Sequence, residues 1–175
     1  MGTVVFPILT YLVSGWMMGW ASAPYDPGWA ARFPRRAAWM ALAGPMANLA
    51  IAVATGLVIH AFILDGAFAP PETVRFTAVA VGAAGGWSQG AAVFASILFT
   101  LNLVLFSFNL IPLPPLDGGA AVTLLMPDRL ATRYRSMMSN PTIALFGLVF
   151  AWQAYGSIFR PLFRFAIGCL YPGRF

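Results

Sequence analysis

Three long apolar runs, separated by polar and proline-rich segments, dominate the pattern of the chain. They cover about Ala38–Leu64, Ala91–Leu110 and Pro141–Phe159. Each is close to the roughly 20 apolar residues that a helix needs to cross the hydrocarbon layer of a bilayer. A fourth apolar stretch, Gly2–Trp20, is interrupted by proline, serine and glycine, which is typical of a re-entrant or partly spanning segment. The pattern predicts an all-α integral membrane protein with three to four transmembrane helices and a re-entrant segment at Gly2–Trp20.

Composition agrees with this reading and changes how the positive charge is interpreted. The chain has 175 residues, of which 60% are hydrophobic and 9% charged, whereas soluble domains carry about 25% charged residues. The net charge of +5 comes from arginines that lie in loops and at the ends of the apolar runs, where they anchor a membrane protein. We therefore expect a lipid bilayer and no nucleic acid as a partner. A lone cysteine, Cys169, excludes an internal disulfide.

The distribution of arginine predicts the orientation of the loops. Segments 21–37 and 111–141 each contain three arginines, and segment 65–90 contains one. The positive-inside rule places the first two in the cytoplasm and the third outside. A last span at 141–159 leaves three arginines beyond it, so the tail is predicted to lie along an interface or the last helix not to cross fully. Residues 1–175 show no domain boundary and are predicted to form a single membrane-embedded domain.

The candidate chemistry lies where the second run ends. Pro112, Pro114 and Pro115 prevent a regular helix, and Asp117 follows them directly. Irregular backbone at membrane depth is tolerated only where protein buries it or water reaches it, and an ionisable group there is a functional candidate. The alternative is that Asp117 caps the next helix, because Asp-Gly after proline is also a turn and N-cap signal. Gly118 and Gly119 would let the backbone pack closely or adopt a positive φ beside the acid.

Two motifs carry a resemblance to a known family. The segment Asn109–Gly119, Asn-x-x-Pro-x-Pro-Pro-x-Asp-Gly-Gly, resembles the NPxPxLDGG signature of site-2-protease-type intramembrane metalloproteases, peptidase family M50. Ala43–Leu49 resembles the family's AGPxxNL stretch, and Gly2–Trp20 with Phe33–Arg36 resembles its connecting region. The resemblance covers most of residues 1–125. It implies zinc-dependent hydrolysis of peptide bonds within transmembrane segments of substrate proteins, in the bacterial inner membrane. It leaves open whether the protein forms an oligomer.

The resemblance also implies roles for particular residues. Asp117 matches the third zinc ligand, and Asn109 matches an asparagine near the metal whose amide would stabilise an oxyanion. An asparagine in an apolar helix is equally suited to bonding between helices. Pro112, Pro114 and Pro115 are expected to hold their segment extended, so that a substrate strand can pair with its backbone. A plain rigid turn is the alternative for these prolines.

One departure limits the activity that the resemblance implies. The family's other two zinc ligands and its general base lie in a His-Glu-x-x-His helix, and these 175 residues contain no such motif. The histidine present, His60, has Leu64 at i+4 and is expected at the far end of its helix from Asp117. Zinc is therefore expected for the intact architecture and not retained by this chain. We expect a truncated, inactive form, since Met1 falls where family members continue upstream; the alternatives are a pseudoprotease that binds transmembrane segments, or a non-catalytic helical membrane protein.

Overall fold

The computed structural model describes residues 26–174, together with Ile8 and Leu12. The predicted segment Gly2–Trp20 otherwise lies outside the described residues. The chain divides into two compact units, residues 1–33 and 34–175, and the prediction of a single domain stays a prediction. In the first unit, helix α1 (Pro27–Arg32) begins after Asp26, whose Oδ1 accepts a hydrogen bond of 2.8 Å from the Gly28 amide.

The second unit is helical apart from one small hairpin. Its elements in chain order are α2 (Pro34–Leu64), β1 (Phe68–Ala69), β2 (Val81–Gly82), α3 (Gly86–Asn109), α4 (Asp117–Ala121), a 3-10 turn (Val122–Leu125), α5 (Asp128–Met138) and α6 (Pro141–Leu170). In the described part of the chain, α2, α3 and α6 are long and apolar enough to cross a membrane. The prediction of an all-α membrane protein with at least three spans is confirmed.

Helix α3 forms the centre of this unit, with α2 and α6 packed against it. Small residues let the helices approach: a Cβ on Gly56 of α2 would lie 3.3 Å from the Phe99 ring of α3. Farther along α3, the Ser107 and Tyr155 hydroxyls are 2.9 Å apart and bridge α3 to α6. Both outer helices keep large exposed apolar surfaces, as expected for helices that face lipid.

The hairpin loop between α2 and α3 covers one end of the bundle. Strands β1 and β2 pair antiparallel, with Phe68 opposite Gly82. Farther along the loop, the Ser96 hydroxyl of α3 accepts hydrogen bonds of 3.0 Å from the amides of Val79 and Ala80. The Tyr171 hydroxyl, just after α6, donates a bond of 2.7 Å to the Val79 carbonyl. The end of α6 therefore reaches the hairpin end of the bundle.

This contact corrects the predicted end of the last helix. The sequence predicted a span ending at Phe159, with the tail along an interface or the last helix not crossing fully, but α6 continues through Pro161 to Leu170. Proline is tolerated inside a membrane helix where neighbouring elements compensate for the lost hydrogen bond. Because Tyr171 bonds to Val79, the helix runs the full distance between the two ends of the bundle.

The opposite end of the bundle holds the short helices. There the Arg35 side chain, at the start of α2, lies 3.8 Å from the Asp128 carboxylate at the start of α5. Both side chains are exposed, so this pair contributes little stability. It places the beginning of α2 and the segment after α3 at one end, as the arginine pattern predicted. The assignment of that end to the cytoplasm stays a prediction.

Candidate functional site

Asp117 is the first residue of the short helix α4, and its side chain is half-buried. The N-cap position belongs to Leu116, which has an extended backbone and offers no capping side chain. Within the described residues, the Asp117 carboxylate accepts no hydrogen bond and forms no ion pair. The alternative that Asp117 is the N-cap residue is therefore wrong, although its position in the first turn is one where a negative charge is favourable.

The two sequence motifs meet at this carboxylate. A Cβ placed on Gly44 of α2 would lie 3.2 Å from Oδ2 of Asp117. Gly44 belongs to the Ala43–Leu49 motif, far from Asp117 in the sequence, and the packing of α4 against α2 brings the two together. A larger side chain at position 44 would press on the carboxylate, so glycine leaves the space around Oδ2 open.

The glycines after Asp117 fix the short helix against the end of α3. A Cβ on Gly118 would collide with the carbonyl oxygens of Leu110 and Ile111. At Gly119 a Cβ would lie 3.0 Å from the carbonyl carbon of Leu113. The prediction that both glycines permit close backbone packing is confirmed, and this packing sets the position of the neighbouring carboxylate.

The segment between α3 and α4 is a succession of tight turns, so the expected extended conformation is wrong. The amide of Leu113 donates to the Ile111 carbonyl at 2.8 Å, and the amide of Leu116 donates to the Leu113 carbonyl at 3.0 Å. The Pro114–Pro115 peptide bond is cis. Proline has no amide donor, so the backbone donors present in this segment serve its own turns. Pairing with a substrate strand along residues 110–116 is not supported.

The three prolines occupy different environments. Pro114 is buried, and its carbonyl oxygen lies 2.5 Å from where a Cβ on Gly147 of α6 would be. Pro115 is exposed and lines a cavity of about 230 Å³ beside Tyr134. Pro112 accepts a hydrogen bond of 2.9 Å from the Tyr134 hydroxyl. The contacts of Tyr134 and Gly147 with these prolines were not predicted, because both residues are distant from the prolines in the sequence and no local pattern indicates the contacts.

An apolar cleft of about 570 Å³ lies beside Asp117. Leu110 and Gly118, whose backbones are in contact, form part of its wall. Of the three prolines between α3 and α4, Pro112 lines this cleft. Its other lining residues come from the start of α2 and from the segment after Gly118: Trp39, Leu42, Ala121, Val122, Leu124 and Leu125. Asp117 precedes Gly118 in the chain and does not itself line the cleft. An apolar cleft of this size is suited to binding an apolar polypeptide segment.

Asn109 ends α3 and lies close to the same point. The residue after it, Leu110, contacts the residue after Asp117, Gly118. The Asn109 side chain is half-buried and makes no hydrogen bond with the described residues. Asn102, by contrast, donates to the Leu98 carbonyl of its own helix at 2.8 Å. The role of Asn109 in oxyanion binding stays a prediction.

The electrostatic state of Asp117 follows from its surroundings. Burial raises the pKa of the Asp117 carboxyl above its ordinary value, because leaving water disfavours the charged form. A bound cation would act in the opposite direction. The site therefore favours either protonation or a positive partner at this oxygen.

The residues that the structure describes do not complete a metal site around Asp117. No group of three histidine, cysteine, aspartate or glutamate side chains lies close enough together in residues 26–174 to hold a metal. His60 is exposed on α2, 16 residues after Gly44, which corresponds to about 24 Å along the helix. It lines a separate groove between α2, α3 and α6, as its predicted distance from Asp117 requires.

Fold and site together define a helical membrane protein that holds a lone carboxylate beside an apolar cleft at one end of its bundle. The sequence model of the family described as peptidase family M50 matches residues 11–152. The chain belongs to peptidase family M50.

A curated relative is consistent with the family. The protein named "Putative zinc metalloprotease YwhC", from Bacillus subtilis (strain 168), is 39% identical over 88 residues, which are 50% of this chain and 34% of that protein. The chain thus spans about a third of the relative's length. No solved structure matches.

Proposed function

We propose that this chain is the Asp117-bearing part of a site-2-protease-type intramembrane zinc metalloprotease. It would act on peptide bonds within transmembrane segments of other proteins, in the bacterial inner membrane. The observation that carries the proposal is the contact between Gly44 and Asp117, which unites both family motifs at one carboxylate. Membership of peptidase family M50 and the name of the relative support the reaction class.

The residues of this chain do not by themselves fit a catalytic zinc. Such a site uses three protein ligands and an open position for water. Asp117 supplies one oxygen, and the lone histidine of the sequence lies far along α2. We infer that the remaining ligands and the general base come from outside these 175 residues and that the chain alone is inactive. The greater length of the relative is consistent with a further segment.

The described residues have three tasks in this proposal. Gly44 and Gly118 hold the Asp117 carboxylate in place against α2 and α3. The apolar cleft beside it receives the substrate segment and keeps bulk water away from the bond to be cut. The amide of Asn109 donates a hydrogen bond to the oxygen on which negative charge develops.

Substitutions in a protein extended to include the upstream segment test these roles. Asp117→Asn should abolish cleavage of a transmembrane substrate, because a neutral amide is a poor replacement for a charged ligand. Asn109→Ala should lower the rate by about 10²–10³, the usual effect of losing one oxyanion donor. Asp128→Asn is the matched control, since that carboxylate is exposed and pairs at the surface with Arg35. His60→Ala should also be mild.

The proposal fails if Asp117→Asn retains full activity while His60→Ala loses it. A pseudoprotease is the second candidate, and the incomplete ligand set of this chain is the observation in its favour. The coding sequence upstream of Met1 distinguishes the two. An in-frame His-Glu-x-x-His in an apolar helix supports the protease, whereas a stop codon with no such motif nearby supports the non-catalytic reading.

A further inference from the structure

A row of polar side chains follows one face of the outermost spanning helix, α6. Gln153, Ser157, Arg160 and Arg164 are all exposed. At about 100° per residue, these four positions fall within an arc of about 60°. We call them the polar face of α6. The helix packs on α3 through residues on its other side, such as Tyr155 and Leu162, so the polar face points away from the described bundle.

The two arginines lie well inside the span rather than at its end. Leu162, between them in sequence, lines a groove with Phe99 and Leu103, which belong to the middle of the apolar run of α3. The end of α6 meets the hairpin loop, because Tyr171 bonds to Val79, and Arg160 lies ten residues before that end, or about 15 Å along the helix. Val79 in turn bonds to Ser96, ten residues into α3. Arg160 and Arg164 are therefore level with the middle of the other spans.

Charged groups at this depth require a partner. An arginine in the hydrocarbon layer is costly and normally faces a protein interior, a water-filled cavity or an opposite charge. Among the ion pairs of the described residues, neither Arg160 nor Arg164 takes part. The five acidic residues of the chain all lie outside the three spanning helices. A second copy in the same orientation would bring arginine against arginine, so it cannot neutralise this face.

We propose that the polar face of α6 binds a transmembrane helix of another membrane protein that carries an aspartate or glutamate at mid-membrane depth. The carboxylate of the partner forms an ion pair with Arg160 and Arg164. The Gln153 amide and the Ser157 hydroxyl form hydrogen bonds with polar groups nearer the other end of the partner helix. The face extends over 12 residues of α6, from Gln153 to Arg164, a rise of about 17 Å. A lipid headgroup at the membrane surface would contact only its end, whereas a helix lying alongside covers its whole length.

Closeness of approach also favours a helix. Gly156 adjoins the polar face, and a Cβ placed there would meet no atom within 4 Å. Small residues beside polar ones are typical of surfaces where membrane helices associate. Binding at this face requires neither zinc nor proteolysis, so it can be tested in the chain as it stands.

The experiment measures association with single-span peptides in vesicles. A donor dye on Cys169, which lies in the groove shared with α2 rather than on the polar face, reports energy transfer to leucine-rich peptides with a central Glu, Gln or Leu. The Glu peptide should bind roughly tenfold more tightly than the Gln peptide, consistent with measured polar contacts between membrane helices. The double variant Arg160→Gln, Arg164→Gln should lose this preference.

Two further variants complete the test. Arg133→Gln removes an exposed arginine of α5, outside the spans, and should keep the preference for the Glu peptide. Arg160→Glu with Arg164→Glu should instead bind a peptide with a central Arg. Equal binding of all three original peptides, or a preference that survives the double Gln variant, would show the inference to be wrong. It would also be wrong if that variant only reduced the enrichment of brominated phosphatidylglycerol around the protein, because the arginines would then contact lipid phosphates.

Discussion

The contact between α6 and the proline segment allows a quantitative test of how the candidate site is held. Gly147 of α6 lies against Pro114, and an added Cβ would be 2.5 Å from the Pro114 carbonyl oxygen. Ordinary contact begins at 3.4 Å, so α6 or the proline segment would have to retreat by about 0.9 Å. Neither partner can relieve the overlap by changing a side-chain rotamer. Overpacking of this kind typically costs about 1–3 kcal/mol.

Gly156 of the same helix provides the matched control. A Cβ there meets no atom within 4 Å, and alanine is favoured over glycine inside a helix by about 1 kcal/mol. Gly147→Ala and Gly156→Ala share this gain in helix propensity. The free energies of unfolding of the two variants should therefore differ only by the cost of the overlap, with Gly147→Ala less stable by about 1–3 kcal/mol.

Unfolding of detergent-solubilised protein by sodium dodecyl sulfate, followed by circular dichroism, measures the difference. In a protein extended to be active, Gly147→Ala should also slow cleavage, because the displaced proline segment moves Gly118 and its neighbour Asp117. Equal stability of the two variants, or greater stability of Gly147→Ala, would refute the packing of α6 on Pro114.

Three other predictions concern metal content, ionisation and orientation. The purified 175-residue chain should contain no stoichiometric zinc by elemental analysis and cleave no substrate; stoichiometric zinc that disappears in Asp117→Ala would contradict this. Burial raises the pKa of Tyr171 to about 12, so the free energy of unfolding should be unaffected below pH 10 and should fall by on the order of 2–3 kcal/mol as the pH rises through 12, because the phenol ionises more readily in the unfolded chain. Tyrosinate absorbance compared with Tyr171→Phe measures this ionisation, and a titration near pH 10 would argue against the buried phenol. In a Cys169→Ser background, a cysteine at position 35 should resist membrane-impermeant reagents in intact cells; labelling from outside would reverse the topology.

Much of the architecture could be predicted from sequence because the membrane imposes local rules. A run of about 20 apolar residues must form a helix, since lipid offers no partners for backbone polar groups. The starts and ends of α2 and α3 follow this rule to within a few residues. The end of the helix at Asn109 and the candidate role of Asp117 could be predicted for the same reason, because prolines and carboxylates are both unusual next to a membrane-spanning helix.

The errors arose where packing between elements overrides local preference. The end of the apolar run predicted that the last span stops at Phe159, but α6 continues to Leu170, and the Tyr171 bond to the hairpin loop holds its end in place. The prolines predicted an extended segment, yet the close approach of Gly118 to the end of α3 folds residues 110–116 into turns.

The sequence by itself determined the class of protein, the number of described spans and the residue types available for chemistry, because hydropathy and backbone chemistry act over one helix length. Only the tertiary structure decided which distant residues meet. It brought Gly44 to the Asp117 carboxylate, separated Pro112 from Pro114 and Pro115, and left Arg160 exposed at mid-span. Each of these depends on the rotation and depth of one helix against another, which a pattern repeating within a single helix cannot specify.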